Sequence, residues 1–527
     1  SKMRSIWVLF SLFVVGSSYK FLVYSPQFGI SHVNYLARLS DALVDAGHEV
    51  VMISPVMNMY VGGPYTKKAR VIEIPQTPEA KYCDDVLTEK IADTAWNHKS
   101  VFEMFYGMDK MVEAWTAQCN ATFRYPGLIE QLKAENFDVG FAESVDLCWA
   151  GLWHLIGLEK YAVTDSFAMN DGAFFYTQMA SNPSYVPSLV AGGAGEKMTF
   201  IQRTWNLLVS GISTFSRDFF IDTWQKVYQE YDANIPNLLE IVGLNSLVFI
   251  NSEPLLDFPR PVSARIIDIG GISVSHKHQQ LNQTWSALLD ERPHTILISF
   301  GTFAKAYLMP EAFKETIRQT ARSMPDVTFI WKYEKPEHNV SQGIENLIDT
   351  TWMPQNDLLR DPRLSAFITH CGQGSTIEAN FAGVPLIVIP VAFDQLRNAA
   401  SVKRNGLGIV MEKTDLNEAG PLEETIREII TNPKYRTEAR NVVERLNDKP
   451  FTARETFIKN MEFLAKHGPL RQLDHYGKHL NFFQYYMIDV IAFIGFVIVS
   501  VIFVILFVLK KCLSCVIRRL SSKAKVE

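Results

Sequence analysis

The strongest constraint on the fold is a strand, a loop, a helix and a further strand in direct succession, a pattern found in each half of the chain. Lys20-Phe-Leu-Val-Tyr24 is a short apolar run, Ser25 to Ser31 a loop with Pro26 and Gly29, and His32 to Ala46 a helix carrying Leu36, Leu39, Leu43 and Val44 on one face. Gly47 stops that helix, and Glu49 to Ser54 is the next strand. Thr295 to Phe300 opens the second series, followed by the Gly301-Thr302 turn, a helix from about Pro310 to Ser323, strands at Val327–Tyr333, Leu364–Thr369 and Val384–Ile389, and a helix at Ser375–Ala382. Strands that alternate with helices at this spacing predict parallel sheets covered on both faces, an α/β architecture. With 527 residues the chain exceeds what one hydrophobic core serves, so two such domains are expected. Their seam is placed near residues 275–294, where His276 to Asn282 and Asp290-Glu-Arg-Pro293 interrupt the apolar pattern. Residues 55–120 and 165–245 are aromatic-rich and carry no clear period.

Both ends are segments of another kind. Residues 1–18 place Lys2 and Arg4 before an apolar run from Ile6 to Val15 and then Gly16-Ser17-Ser18, the plan of a signal peptide. Val490 to Leu509 is uncharged and rich in Ile, Val and Phe, about the 20 residues that a spanning helix needs. Lys510, Lys511, Arg518, Arg519, Lys523 and Lys525 follow it, so the positive-inside rule predicts a cytosolic tail and a luminal or extracellular body. Lys523 and Lys525 also resemble a dilysine retrieval signal of the endoplasmic reticulum; the alternative is an ordinary basic flank. The sequons at Asn120, Asn282 and Asn339 fit a luminal body. Six cysteines are too few for a disulfide scaffold, although one bridge can form among Cys83, Cys119 and Cys148. A net charge of −5 with no basic run interleaved with aromatics gives no sign of nucleic acid.

The chemistry-bearing residues concentrate between 352 and 398. Trp352-Met-Pro-Gln355 offers an indole that can stack on a base, and Thr369-His370-Cys-Gly-Gln-Gly-Ser375-Thr-Ile-Glu378 joins a helix N-terminus, suited to a diphosphate, to a carboxylate suited to ribose hydroxyls. Asp394-Gln395 is an acid–amide pair suited to sugar hydroxyls. In the first half His32 stands at a strand–loop–helix junction, where open α/β sheets bind ligands, and Glu143 and Asp146 follow the strand Phe137–Ala142. A carboxylate there can fix the tautomer of a histidine at the same sheet edge, or simply cap the helix that follows.

These motifs closely resemble the nucleotide-sugar signature of UDP-glycosyltransferases of the UDP-glucuronosyltransferase type, and the similarity runs over essentially the whole chain. The resemblance implies a GT-B fold: two facing Rossmann-like domains with a C-terminal single-pass transmembrane helix. It divides the chain into a signal peptide at 1–18, an acceptor-binding domain at 19–280, a UDP-sugar-binding domain at 281–435, returning helices at 436–486, a transmembrane helix at 487–509 and a basic tail at 510–527. By the same resemblance His32 is the general base and Glu143 its partner, although many members have Asp there, which keeps Asp146 as an alternative. Trp352 stacks on uracil with Gln355 beside it. His370 and the amides of Gly374, Ser375 and Thr376 hold the diphosphate, helped by Ser299 and Thr302. Glu378 binds ribose, and Asp394 and Gln395 bind the transferred sugar. Cys371 and Gly374 depart from vertebrate members, which usually have Gly and Asn. The UDP-sugar is a co-substrate and not a cofactor, and no Asp-x-Asp metal motif is present, so metal independence is expected. The implied partners are a UDP-sugar, a small lipophilic acceptor taken up through the aromatic-rich stretches, and a membrane, with a homo-oligomer left open. UDP-glucuronate and UDP-glucose both remain open as donors. The alternatives are a UDP-sugar epimerase or hydrolase and a silent binding subunit.

Overall fold

A computed structural model describes residues 18–523 apart from 59–60, 98–107, 170, 178, 180, 191 and 275–279. The expected signal segment, part of the expected seam and Lys525 of the dilysine pattern lie outside the described residues. Two parallel sheets organise everything up to Leu473. The first has seven strands: β1 (Lys20–Tyr24), β2 (Glu49–Pro55), β3 (Arg70–Ile74), β4 (Val139–Glu143), β5 (Tyr161–Asp165), β6 (Leu247–Ile250) and β7 (Ile266–Asp268), in the order β3-β2-β1-β4-β5-β6-β7. The second has six: β8 (His294–Ser299), β9 (Val327–Lys332), β10 (Leu347–Thr350), β11 (Leu364–Thr369), β12 (Leu386–Val388) and β13 (Gly408–Val410), in the order β10-β9-β8-β11-β12-β13. Chain direction across the sheet reverses between β1 and β4 and again between β8 and β11. Crevices therefore open at the carboxyl ends of those pairs.

Central strands are apolar on both faces because both faces are covered. Phe21 and Val23 of β1 point to one core with Val50, Met52 and Phe141, while Leu22 and Tyr24 point to the other with Val51, Ile53 and Trp149. Into the first of these cores packs the late helix Ala453–His467, whose Phe457 meets Phe141 and Phe249 at ring separations of 5.8 and 5.0 Å. The last part of the two-lobed body is thus built on its opening strands. An exchange in the opposite direction occurs at the helix Thr88–Asn97, early in sequence but with Ala95 and Trp96 buried in the core of the second sheet. Trp96 Nε1 donates to the Lys305 carbonyl at 3.0 Å and its ring meets Phe300 at 5.1 Å.

The stretches without a readable period are largely helical. Met108–Phe123 is one helix and Phe200–Gln229 a second of 30 residues, opened by a Thr199–Gln202 capping box. Of the three candidate cysteines, Cys119 and Cys148 form a disulfide, tying the helix Met108–Phe123 to the helix Cys148–Ile156. Asp474 to Glu527 is a separate unit whose described part ends in the helix Ile488–Lys523. Ile488–Arg518 within it is long and apolar enough to cross a membrane.

Candidate active site

The crevice between β1 and β4 holds the first group of candidate residues. After β1 the chain turns through Gly29, whose extended backbone starts the helix Ile30–Asp45, and two residues later His32 projects from the first turn. A Cβ on Gly29 would lie 3.1 Å from His32 Cδ2, so the small residue gives the imidazole its room. Glu143 is the last residue of β4, and His32 Nδ1 is 2.9 Å from each of its carboxylate oxygens. With Nδ1–H donated to that carboxylate, Nε2 carries the lone pair; the side chain is 22% exposed. Asp146, the alternative partner, instead accepts the Cys148 amide at 2.9 Å and bonds Tyr24. Burial pushes its carboxyl up to about 7.

Two effects compete at His32. Burial works against the imidazolium, but the attraction and hydrogen bond of Glu143 prevail, and the pKa lies above the ordinary 6.5. The Glu143 carboxyl shifts down correspondingly: burial opposes ionisation, while His32 and the Ser166 hydrogen bonds favour it. An aromatic row leads away from the imidazole, with Phe28 at 4.5 Å from its ring, Trp115 5.0 Å beyond and Trp224 6.4 Å further. The row ends in the first core, where Trp224 is buried.

The crevice between β8 and β11 gathers the second group. Cys371 has a φ of 67°, a left-handed conformation that costs a non-glycine residue roughly 1–2 kcal/mol. Gly372 then caps the helix Gln373–Ala382 without a side-chain bond. That helix begins two residues earlier than the sequence indicates, and this corrects one assignment. The Thr376 amide donates within the helix to the Gly372 carbonyl at 3.0 Å and is not offered to a ligand. Gly374 and Ser375 have first-turn amides that face outward from the N-terminus, where the helix dipole favours an anion. Asp394, at the start of the helix Gln395–Arg404, accepts from the Gln373 backbone amide and from Asn398 Nδ2 at 2.7 Å. Its charge also interacts with His32.

His370 fills a slot between two glycines. A Cβ on Gly301 or on Gly372 would lie 2.6 Å from the imidazole ring. Burial, reinforced by the Lys332 cation, lowers its pKa to about 4, and the ring interacts with the Ser299 carbonyl. This ring is neutral at physiological pH and brings no positive charge to a phosphate. The cation nearby is Lys332, at the carboxyl end of β9, whose ammonium donates to the Gly301 carbonyl at 2.6 Å. Ser299 is buried and accepts from the Gly301 amide at 3.3 Å, whereas Thr302 is exposed.

The plate and the carboxylate lie further along. Trp352 is 68% exposed, a large cost for an indole unless something covers it. Gln355 opens the helix Gln355–Arg360 and donates to Glu378 at 2.7 Å, and Asn356 donates to the other Glu378 oxygen at 3.1 Å. Each oxygen keeps a second lone pair for a hydroxyl. Gln395 differs from its expected role: it is buried, and its carbonyl accepts the Val391 and Ala392 amides at 2.7 and 2.9 Å. Only its amino group is left for a sugar. Among the described residues no group of three or more His, Cys, Asp or Glu is arranged to hold a metal ion.

The family model for UDP-glucoronosyl and UDP-glucosyl transferase matches residues 20–526. The chain belongs to that family. Similar to this UDP-glycosyltransferase is ugt-48 of Caenorhabditis elegans, 30% identical over 90% of the chain and 92% of the relative. UDP-glucuronosyltransferase 1A7 of Rattus norvegicus is 26% identical over 90% of the chain and 88% of its own. Two solved glycosyltransferases share the GT-B fold: the glycotransferase of kitacinnamycin, with a TM-score of 0.56 at 17% identity over 86% of this chain and 99% of that one, and spinosyn forosaminyltransferase SpnP, at 0.53 and 16% over 86% and 100%. The protein is a transferase that draws on a UDP-sugar.

Four residues in the two crevices of this UDP-glycosyltransferase received no role from the sequence, three of them outside every motif and Gln373 within one. Ser166 follows β5, Asn251 follows β6, Lys332 ends β9 and Gln373 opens the helix after β11. Ser166, Asn251 and Lys332 stand at carboxyl ends of parallel strands, so inspecting the ends of β5, β6 and β9 as well would have marked them.

Proposed function

We propose that this UDP-glycosyltransferase transfers glucuronosyl or glucosyl from its donor to a hydroxyl of a small lipophilic acceptor by a single inverting displacement, with His32 as general base. The observation that carries this reading is the His32–Glu143 pair, with Nδ1 bound to the carboxylate and the imidazole partly exposed. An acceptor hydroxyl has a pKa of about 10 when phenolic, so it is a weak nucleophile until a base takes its proton. The acceptor oxygen bonds to the anomeric carbon as its proton passes to His32 Nε2. The bond from that carbon to the diphosphate breaks, and UDP departs with the electron pair. Glu143 stabilises the imidazolium so formed.

On the donor side, Trp352 stacks on uracil beside Gln355, and Glu378 takes ribose hydroxyls. The Gly374 and Ser375 amides and the Lys332 charge receive the diphosphate, and Ser299 and His370 shape its floor. Asp394, with the Gln395 amino group, orients the sugar near His32. The carboxyl-terminal helix anchors the lobes at a membrane on its luminal side, where lipophilic acceptors partition.

Substituting His32→Ala is expected to lower kcat by roughly 10²–10⁴ while calorimetry still detects UDP binding. Turnover close to the parent's would remove His32 from the role of base. Competition between labelled UDP-glucuronate and UDP-glucose for one acceptor assigns the donor.

A further inference from the structure

The two crevices are joined by a run of hydrogen bonds that no motif contains. Gln373 extends its side chain away from the donor-side helix, and its amide donates to the backbone carbonyl of Asn251, across the lobes, at 2.6 Å. Asn251 is 3% exposed; its own side-chain amide donates to the Ser166 carbonyl at 2.8 Å, and its backbone amide donates to the Asp165 carbonyl at 2.9 Å. Asn251 Oδ1 is buried and has no hydrogen-bond partner among the described residues. Ser166 ends the run: its amide donates to Glu143 Oε1 at 2.9 Å, and its hydroxyl lies 3.0 Å from His32 Nδ1.

The chemistry makes Ser166 a clamp. A carboxylate with both oxygens 2.9 Å from one ring nitrogen can rotate or slide without losing that contact, and the Ser166 amide selects one orientation. Ser166 in turn can hold Glu143 only as well as its own backbone is held. That backbone is fixed from below by Asn251, and Asn251 is reached from the donor lobe by Gln373. At its other end, Gln373 gives its backbone amide to Asp394, which interacts electrostatically with His32. One residue at the donor helix tip therefore touches a residue beside the sugar site and, through two amides, the support of the base.

We propose that Gln373 is a cross-lobe positioning residue, which sets the orientation of the His32–Glu143 pair through Asn251 and Ser166 according to how the donor-side helix is seated. The proposal rests on His32 as the base and adds the coupling of its geometry to the opposite lobe. The same placement makes donor seating and base alignment interdependent, so the acceptor is deprotonated efficiently only when the donor helix is in place.

The test uses the membrane-bound full chain and Gln373→Met, which keeps side-chain length and removes the donor group. Turnover is expected to fall about tenfold, with the Kd for UDP and the Tm unchanged, since the first-turn amides remain. Gln373→Glu, of the same size but without an amide donor, is expected to fall as far. In an Asn251→Ala background, which removes the side-chain amide held on the Ser166 carbonyl, the same Gln373→Met change should cost less than twofold, because the link it acts through is already gone. A fall of less than threefold in both Gln373 variants, or an undiminished further loss in the Asn251→Ala background, overturns the relay. His32→Ala, run alongside, keeps the outcomes distinct: turnover that survives it sinks the base assignment, whereas an inactive His32→Ala beside a fully active Gln373→Met sinks the relay alone.

Discussion

Two histidines, one in each crevice, have opposite electrostatics, and the difference lies in the sign of the charge beside each. Both are disfavoured as cations by burial, but His32 has a carboxylate at 2.9 Å and is raised above 6.5, while His370 has the Lys332 cation and falls to about 4. A base must be neutral to take a proton, so kcat/KM for the acceptor falls as pH drops through the raised pKa of His32, above 6.5. Glu143→Gln removes the charge but keeps an oxygen for Nδ1. Burial then dominates, so the acid limb of the profile is expected to move to lower pH, while kcat on the alkaline plateau falls on the order of 10²–10⁴ because the imidazolium loses its counter-charge and its tautomer is no longer enforced. A limb that stays in place in the variant would mean that another group titrates there. His32 and Glu143 were singled out by their places after β1 and at the end of β4 together with the family resemblance, and the two side chains do meet. Ser166 was not, since its importance comes from where its amide points, which no sequence position reveals.

At the level of elements, β1, β2, β4, β8, β9, β11 and β12 were read within one or two residues because parallel strands buried on both faces are uniformly apolar, while β3, β5, β6, β7, β10 and β13 went unread. Two helices were misjudged for different reasons. Phe200–Gln229 shows no amphipathic period because its outward face is also apolar, with Phe200 and Ile201 75% and 78% exposed. Gln373–Ala382 begins before Ser375, the residue type preferred as a cap, because Gly372 takes up the extended cap geometry with φ −62° and ψ 147°. The start of that helix decides which amides meet the diphosphate, and the position after Gln373 is open to improvement. A Cβ on Gly374 would meet nothing within 4 Å, so an added side chain has space. Replacing glycine in a first turn also removes backbone entropy from the unfolded chain, an effect of about 0.4–1 kcal/mol. Gly374→Asn is therefore expected to lower the KM for the UDP-sugar several-fold, by adding an amide donor at the helix tip, and to raise Tm slightly. An unchanged KM with a raised Tm would place the phosphates away from this turn.

For the molecule as a whole, the boundary between lobes drawn from sequence at about residue 280 describes the order of the chain better than its packing. Trp96 belongs to the second core and Phe457 to the first, because a helix joins whichever apolar sheet face lies over it, wherever it falls in sequence. The seam itself is ionic. Arg397, on the helix after the donor loop, is 2% exposed, pairs with Asp257 at 2.7 Å and donates to the Pro187 carbonyl at 3.2 Å, while Arg260 reaches Asp257 from its other side at 2.9 Å. Burial opposes ionisation of Asp257, but the two guanidiniums prevail and hold its carboxyl at about 2. Because this folded value lies below the ordinary 3.8, the stabilisation is complete above about pH 4 and is lost as pH falls toward 2. Breaking a lone buried pair costs about 3–5 kcal/mol, and removing Arg397 costs less than that because Arg260 still holds Asp257. Arg397→Ala is accordingly expected to lower Tm by several degrees at pH 7. Adding Asp257→Asn leaves Arg260 with Asp268 at 3.7 Å as its carboxylate, so Tm is expected to fall further, while the remaining stability should decline less steeply between pH 4 and pH 2 than in the parent. Thermal unfolding of the detergent-solubilised chain with and without UDP measures each of these. Equal Tm values for Arg397→Ala and the parent would mean that the hydrophobic exchange through Trp96 and Phe457 holds the lobes without the ion pair, and the pH dependence would then have to come from elsewhere in the fold.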